Sequence, residues 1–200
     1  MKKNFAILLF GCCFLLSCGP STKIVNSWRD PAVTVSTSEL HKFVIAALLK
    51  NGSVRRSVED KIVALYPGKG VQSYVVFGLT ELKEDESFYA SRLKNEGYDG
   101  VVVMRLVKVD NDTRYVPGTY PSYYAGWRGY YGYAWGGYYD PGYYTTDKTF
   151  YVETNVYSLK SNKLVWTGIT STINPSGGDQ LFDGVIRAVN SKMKEEGFLK

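Results

Sequence analysis

The sequence predicts an α+β fold whose first half is α/β-like: a mixed sheet of about five strands, three helices, and a C-terminal β-hairpin followed by the last helix. Three features predict it. Strand-length apolar runs alternate with segments of helical period between Lys42 and Val109. Two alternating runs, Thr149–Ser158 and Lys163–Ile173, flank a polar turn at Lys160-Ser161-Asn162-Lys163. A long amphipathic segment then follows the breaker Pro175-Ser176-Gly177-Gly178.

Before any of this comes a processing signal. Lys2 and Lys3 precede an apolar run from Phe5 to Leu16, which ends at Leu15-Leu16-Ser17-Cys18. A helix of about 12 residues rises only about 18 Å, short of the roughly 30 Å hydrocarbon core of a bilayer. The layout instead matches a bacterial lipoprotein signal, in which the Cys18 sulfur receives diacylglycerol and Cys18 becomes the first residue. Cys12 and Cys13 leave with the signal, so the mature chain is expected to hold no free thiol and no disulfide. Loss of residues 1–17 also lowers the formal charge from +5 to +3, no footprint of a nucleic-acid partner. Gly19 follows the cysteine, where an inner-membrane retention signal of the enterobacterial kind would have Asp. The expected location is the outer membrane with the domain in the periplasm; surface display stays open.

The domain plan is thus a signal peptide at 1–17, a lipidated tether and N-terminal arm at 18–40, and one globular domain at 41–200 with an insertion at 115–145. Ile24 to Trp28 reads as a first strand or an extended arm. Lys42 to Leu49 (KFVIAALL) reads as a strand buried on both faces. Ser53 is positioned to cap a helix running to about Tyr66, with Val54, Val58, Ile62 and Leu65 on one face. Arg55–Glu59 and Arg56–Asp60 are surface pairs at i,i+4, each expected to add a few tenths of a kcal/mol. Pro67-Gly68 ends this helix.

Val71 to Phe77 (VQSYVVF) is the next expected strand, and Ser87 to Glu96 the next helix. Val101 to Val109 is expected to leave the core toward an edge from Met104 onward. Asp179 is positioned to cap the last helix, whose buried stripe is Phe182, Val185, Ile186, Val189 and Met193. Lys94-Asn95-Glu96-Gly97-Tyr98 echoes Lys194-Glu195-Glu196-Gly197-Phe198. Both predict a left-handed glycine and an aromatic that folds back on the last turn.

Tyr115 to Tyr144 carries eleven of the seventeen tyrosines and seven glycines, with Arg128 and Asp140 its only charges. It keeps neither the helical nor the strand period. One reading is a low-complexity loop shielding an edge. The other is an aromatic surface built from Tyr123, Tyr124, Trp127, Tyr130, Tyr131, Trp135, Tyr138 and Tyr139, suited to a glycan, an envelope protein or a membrane interface.

Chemistry is sparse. His41 is the only histidine and lacks the companions of a triad or a metal centre. Ser91-x-x-Lys94 and Ser191-x-x-Lys194 match a penicillin-recognition element without its partner motifs. Asp110-Asn111-Asp112 reads as a loop cap, since no glycine and closing glutamate follow at calcium-loop spacing. Gly68-Lys69-Gly70 lacks the upstream glycine of a phosphate loop. Glu81, Glu84, Asp85 and Glu86 form an acidic cluster expected at a helix start. No catalytic residue, metal or cofactor is expected.

KFVIAALL, the Arg55-Arg56-x-x-Glu59-Asp60 helix, Val71-Gln72-Ser73-Tyr74 and Leu164-Val165-Trp166-x-Gly168 together resemble small bacterial envelope lipoproteins. The architecture is similar to the amino-terminal domain of periplasmic TolB and to lipoprotein activators of peptidoglycan synthases. The resemblance covers most of residues 40–198 and implies a non-catalytic domain that docks on envelope components. The expectation is a lipid-anchored interaction module. The alternatives are a cell-wall or glycan-processing enzyme using the acidic cluster, or a structural or adhesion component working through the tyrosines.

Overall fold

The computed structural model describes residues 22–32, 40–77, 86–116 and 142–199. Their elements are β1 (Thr22–Arg29), β2 (Phe43–Leu48), α1 (Gly52–Ala64), β3 (Gly70–Gln72), α2 (Ser73–Phe77), α3 (Glu86–Asn95), β4 (Gly100–Val116), β5 (Tyr143–Ser158), β6 (Lys163–Ile173) and α4 (Gly178–Glu195). The six strands form one mixed sheet in the order β1-β6-β5-β4-β2-β3. β2 runs parallel to β3 and β4 as expected, and the other neighbours are antiparallel.

The crossover direction reverses at β3, which puts α1 and α3 on opposite faces of the sheet. Strand β2 therefore buries both faces. Phe43, Ile45 and Ala47 join the main core with α1 and α4, while Val44 packs with Leu93 and Tyr98 under α3. That second cluster draws its partners from β3, β2, β4 and the turn after β5. Helix α4 supplies Leu181, Phe182, Val185, Val189 and Met193 to the main core, so the expected stripe faces inward with Ile186 at its margin.

Three expectations about α1 change. Its cap is Asn51, whose side chain accepts from the Ser53 and Val54 amides at 3.0 and 3.1 Å. Asn satisfies orphan amides as well as Ser does, so the helix starts earlier than expected. Leu65 ends the helix and is exposed, while Val58 and Ile62 are buried. Most of all, Arg55–Glu59 is not a surface pair. Glu59 has no exposed surface. Its carboxylate accepts from Arg55 Nε (3.0 Å), the Ala47 amide (3.0 Å), Ser73 Oγ (2.7 Å) and the Tyr74 amide (3.3 Å). A carboxylate out of water needs this many donors.

The same carboxylate explains why VQSYVVF is not one strand. Only Gly70–Gln72 pairs with β2, and Ser73–Phe77 turns into α2. The turn delivers the Ser73 hydroxyl and the Tyr74 amide to Glu59. It also lets Val76 and Phe77 pack in the second cluster while Val75 faces solvent. Nearby, Asp60 accepts from Tyr74 Oη at 2.6 Å and Gln72 Nε2 at 2.9 Å.

Helices α3 and α4 end as their shared sequence predicts. Gly97 and Gly197 have φ of 80° and 68°. The Tyr98 amide reaches the Leu93 carbonyl at 2.9 Å, and the Phe198 amide reaches Met193 at 2.8 Å. Both aromatics are buried. Asp179, by contrast, does not cap α4. Gly177 occupies that position, and Asp179 lies in the first turn with its carboxylate 2.9 Å from Lys61 Nζ. Lys61 also holds Asp183 at 2.8 Å, which joins α1 to α4.

A second carboxylate fixes the N-terminal strand. Glu196 accepts from Ser27 Oγ of β1 at 2.6 Å and from the Trp166 indole of β6 at 2.7 Å, and its carbonyl accepts from Arg29 at 2.6 Å. Burial alone would raise the Glu196 carboxyl, but the Ser27 and Trp166 hydrogen bonds, with Lys192 nearby, outweigh it and hold the group below the ordinary value. Trp166 is fully buried, and its ring lies over Gly168, where a Cβ would sit 2.3 Å from the indole. The Trp166-x-Gly168 spacing is thus a packing requirement. At the other end of β1, Gly184 of α4 lets Thr22 approach so closely that a Cβ there would sit 2.3 Å from its hydroxyl.

Truncation of the buried carboxylate by Glu59→Ala leaves Arg55 and two backbone amides without their acceptor. The expected loss is about 3–5 kcal/mol of unfolding free energy, read from the shift of the urea midpoint at unchanged slope.

Candidate functional site

The outer parts of β4 and β5 form a two-stranded ribbon that runs beyond the rest of the sheet. β2 last pairs with β4 at Arg105, and β6 last pairs with β5 at Thr149, opposite Asp110. Beyond that level Asn111–Val116 and Tyr143–Lys148 have only each other as strand partners. Six residues at about 3.3 Å each make this extension roughly 20 Å long. The sequence pattern ends the first strand at Val109 and begins the next at Thr149. Both strands run further, and Asp110-Asn111-Asp112 lies within β4 rather than in a loop.

An isolated two-stranded ribbon is marginal in water, and cross-strand side chains hold this one. The Thr113 and Thr146 hydroxyls meet at 2.9 Å, and Arg114 pairs with Asp147. Asn174, at the end of β6, donates to Asp147 at 2.7 Å. The Tyr115 and Tyr144 rings meet at a centroid distance of 5.3 Å. The legible signal was the alternation of Val107, Val109, Asn111, Thr113 and Tyr115 with Lys108, Asp110, Asp112 and Arg114. The density of turn-forming residues obscured it.

Composition changes along the ribbon. Its base carries Arg105–Glu153 (2.6 Å) and Lys108–Asp110 (2.7 Å) ion pairs, and Lys108 also lies over the Tyr151 ring at 4.5 Å. Past Arg114 and Asp147 come Tyr115, Val116, Tyr143 and Tyr144. Their tyrosines are half to three-quarters exposed, with Tyr144 at 75%. Gly142 leads into this end with φ of 81°. The predicted surface residues Tyr123, Tyr124, Trp127, Tyr130, Tyr131, Trp135, Tyr138 and Tyr139 lie outside the described residues, as does Cys18. The ribbon is the stem that carries their segment.

The antiparallel registers relate this stem to the N-terminus. Thr22 pairs with Thr172, Thr172 with Phe150, and Phe150 with Val109. The first residue of β1 therefore lies at the sheet end from which the ribbon projects. The β5–β6 turn, with Asn162 at φ of 54°, lies at the opposite end.

A small cavity of about 50 Å³ lies between the sheet and helices α1 and α4, lined by Phe43, Met104, Thr154, Val156, Val189 and Met193 among others. Thr154 Oγ1 is buried there without a hydrogen-bond partner among the described residues. Tyr66, which donates to Asn190 at 2.9 Å, also borders it, and burial raises the phenol above its ordinary pKa. Thr154, Tyr66 and Asn190 are the polar residues of an otherwise apolar lining.

Among the described residues the other motifs are not brought together. His41 is exposed at the start of β2, and its backbone amide donates to Asp99 Oδ2 at 2.7 Å. Ser91, Lys94, Ser191 and Lys194 are exposed on α3 and α4. Gly68 takes a left-handed turn with φ of 76°. Glu81, Glu84 and Asp85 lie outside the described residues, as does the side chain of Glu86. Among the described residues no helix is long and apolar enough to cross a membrane.

No protein-family model and no curated protein matches the chain. Solved structures align with the chain at low similarity. A PelC dodecamer from Paraburkholderia phytofirmans aligns at 8% identity and a TM-score of 0.43, covering 84% of this chain and 95% of that one. A single-substitution variant of the same dodecamer gives 8% and 0.42, with 85% and 95% covered. Lipoprotein GNA1162 from Neisseria meningitidis gives 9% and 0.41, with 77% and 98% covered. Neither partner nor chemistry is assigned from likeness at this level.

The unpaired hydroxyl in the cavity sets a sign that a mutation can read. Thr154→Val keeps the shape and removes a desolvated polar group. It is expected to raise the unfolding free energy by about 1–2 kcal/mol, measured by denaturant titration; a loss instead would mean that the hydroxyl has a partner in solution.

Proposed function

We propose that the chain is a lipid-anchored, non-catalytic interaction module of a bacterial cell envelope. It is tethered through Cys18 to the outer membrane, with its domain in the periplasm. The observation that carries this reading is the pairing of an acylation-type signal ending at Cys18 with an ordered ribbon that holds large aromatics in solvent. Tyrosine gives wide amphipathic contact at small entropic cost, the composition of surfaces that bind rather than react. Two or three acyl chains supply stable attachment at about 0.8 kcal/mol per buried CH₂.

The reading implies a definite behaviour in cells. The wild-type chain is expected to incorporate labelled palmitate and sediment with membranes, while Cys18→Ser is expected to stay unlabelled and leave the membrane fraction or accumulate unprocessed. A Cys18→Ser chain that matures, labels and sediments as before would overturn the proposal.

A further inference from the structure

We infer that the surface met by the aromatic end of the ribbon is the lipid bilayer to which the chain is tethered. This rests on the anchoring proposed above and names the partner of that same ribbon.

Cys18 precedes Thr22 by four residues, a span of at most about 14 Å. Thr22 enters β1 at the sheet end that bears the ribbon, level with Val109 through the registers Thr22–Thr172, Thr172–Phe150 and Phe150–Val109. From that level the ribbon runs on to Val116, paired with Tyr143, about 23 Å further. Sheet twist of about 20–25° per strand turns β5 some 40–50° and β4 some 60–75° from β1, which leaves roughly 6–18 Å along the β1 direction. A tether of at most about 14 Å and the ribbon therefore have comparable reach at the same end of the sheet. A membrane close enough to hold Cys18 is close enough to meet Tyr115, Tyr143 and Tyr144.

The chemistry agrees with the geometry. Below the tyrosines the ribbon carries three cations, Lys108, Arg114 and Lys148, and three anions, Asp110, Asp112 and Asp147, and two pairs among them are joined directly. This charge-balanced zone presents no net repulsion to an anionic headgroup layer. Beyond it the ordered end holds Tyr115, Val116, Tyr143 and Tyr144 without a charge. An apolar body with a polar tip is the side-chain type that concentrates at the membrane–water interface.

The test uses the lipidated full chain in phosphatidylethanolamine–phosphatidylglycerol vesicles containing nitroxide-labelled lipid. Because the mature chain has no other free thiol, Tyr144→Cys and Lys160→Cys can carry the same fluorophore, with Tyr143→Cys as a second ribbon site. Melting curves of the three variants confirm folding, and palmitate incorporation is followed in parallel. Quenching several-fold stronger at both ribbon sites than at residue 160 is expected. Equal or absent quenching at the ribbon sites with palmitate present would overturn the inference and leave the anchoring intact. Quenching that disappears, or shielding that arises only when an envelope protein or glycan strand is added, would likewise overturn it in favour of that partner. Absence of palmitate would overturn the anchoring itself.

Discussion

Antiparallel pairing of β1 with β6 settles two directions at once. It makes the N-terminal arm an edge strand of the sheet, and it fixes the end of the domain from which the chain runs back toward Cys18. Pairings of β6 with β5 and of β5 with β4 carry the same direction across to the ribbon. If β1 ran the other way, the tether would leave beside the β5–β6 turn. The arm is held at both ends: Thr22 meets Thr172 and lies against Gly184, while Ser27 and Arg29 reach Glu196 at the end of α4. Helix α4 thus acts as a clamp along the whole of β1, and its closing turn supplies the acceptor that fixes the far end.

Two glutamates organise the rest. Glu59 joins α1, β2 and the start of α2 from inside the protein, and Glu196 joins β1, β6 and α4 at its margin. Each is surrounded by several donors, as a shielded carboxylate requires. Glu59 lies under the parallel half of the sheet, and Glu196 beside the antiparallel half. The division matches the layout of the core: α1 and α4 cover one face of the sheet, while the cluster under α3 is built around β2, β3 and β4.

Much of this was legible in the residues. KFVIAALL had to be buried on both sides, and it is the strand flanked by two parallel neighbours. The Gly97-Tyr98 and Gly197-Phe198 closures followed from local backbone chemistry alone, and tertiary context did not alter them. What escaped notice depended on distant partners. Glu59 reads as a surface residue at i,i+4 from Arg55 until Ser73 and Tyr74 are brought to it, and the same encounter converts the end of VQSYVVF from strand to helix. Asn51 and Ser53 are both good caps, and only the backbone angle decides between them. The ribbon was missed for another reason. Its strands show the alternation of a solvated hairpin, but Asp110-Asn111-Asp112 has the composition of a turn, and its cross-strand partners lie more than thirty residues away. For the candidate surface, the tyrosine-rich composition was plain, whereas its ordered stem and its position relative to the N-terminus required the registers of four strands.

The start of the edge strand β1, to which the proposed lipid tether leads, and the aromatic ribbon lie at one end of a single sheet. This end of the domain is the one proposed to rest on the bilayer. Neutron reflectometry of the lipidated full chain on a supported bilayer tests that claim most directly. Protein density continuous with the headgroup layer is the predicted result; a water-filled gap separating headgroups from the whole protein layer would contradict it.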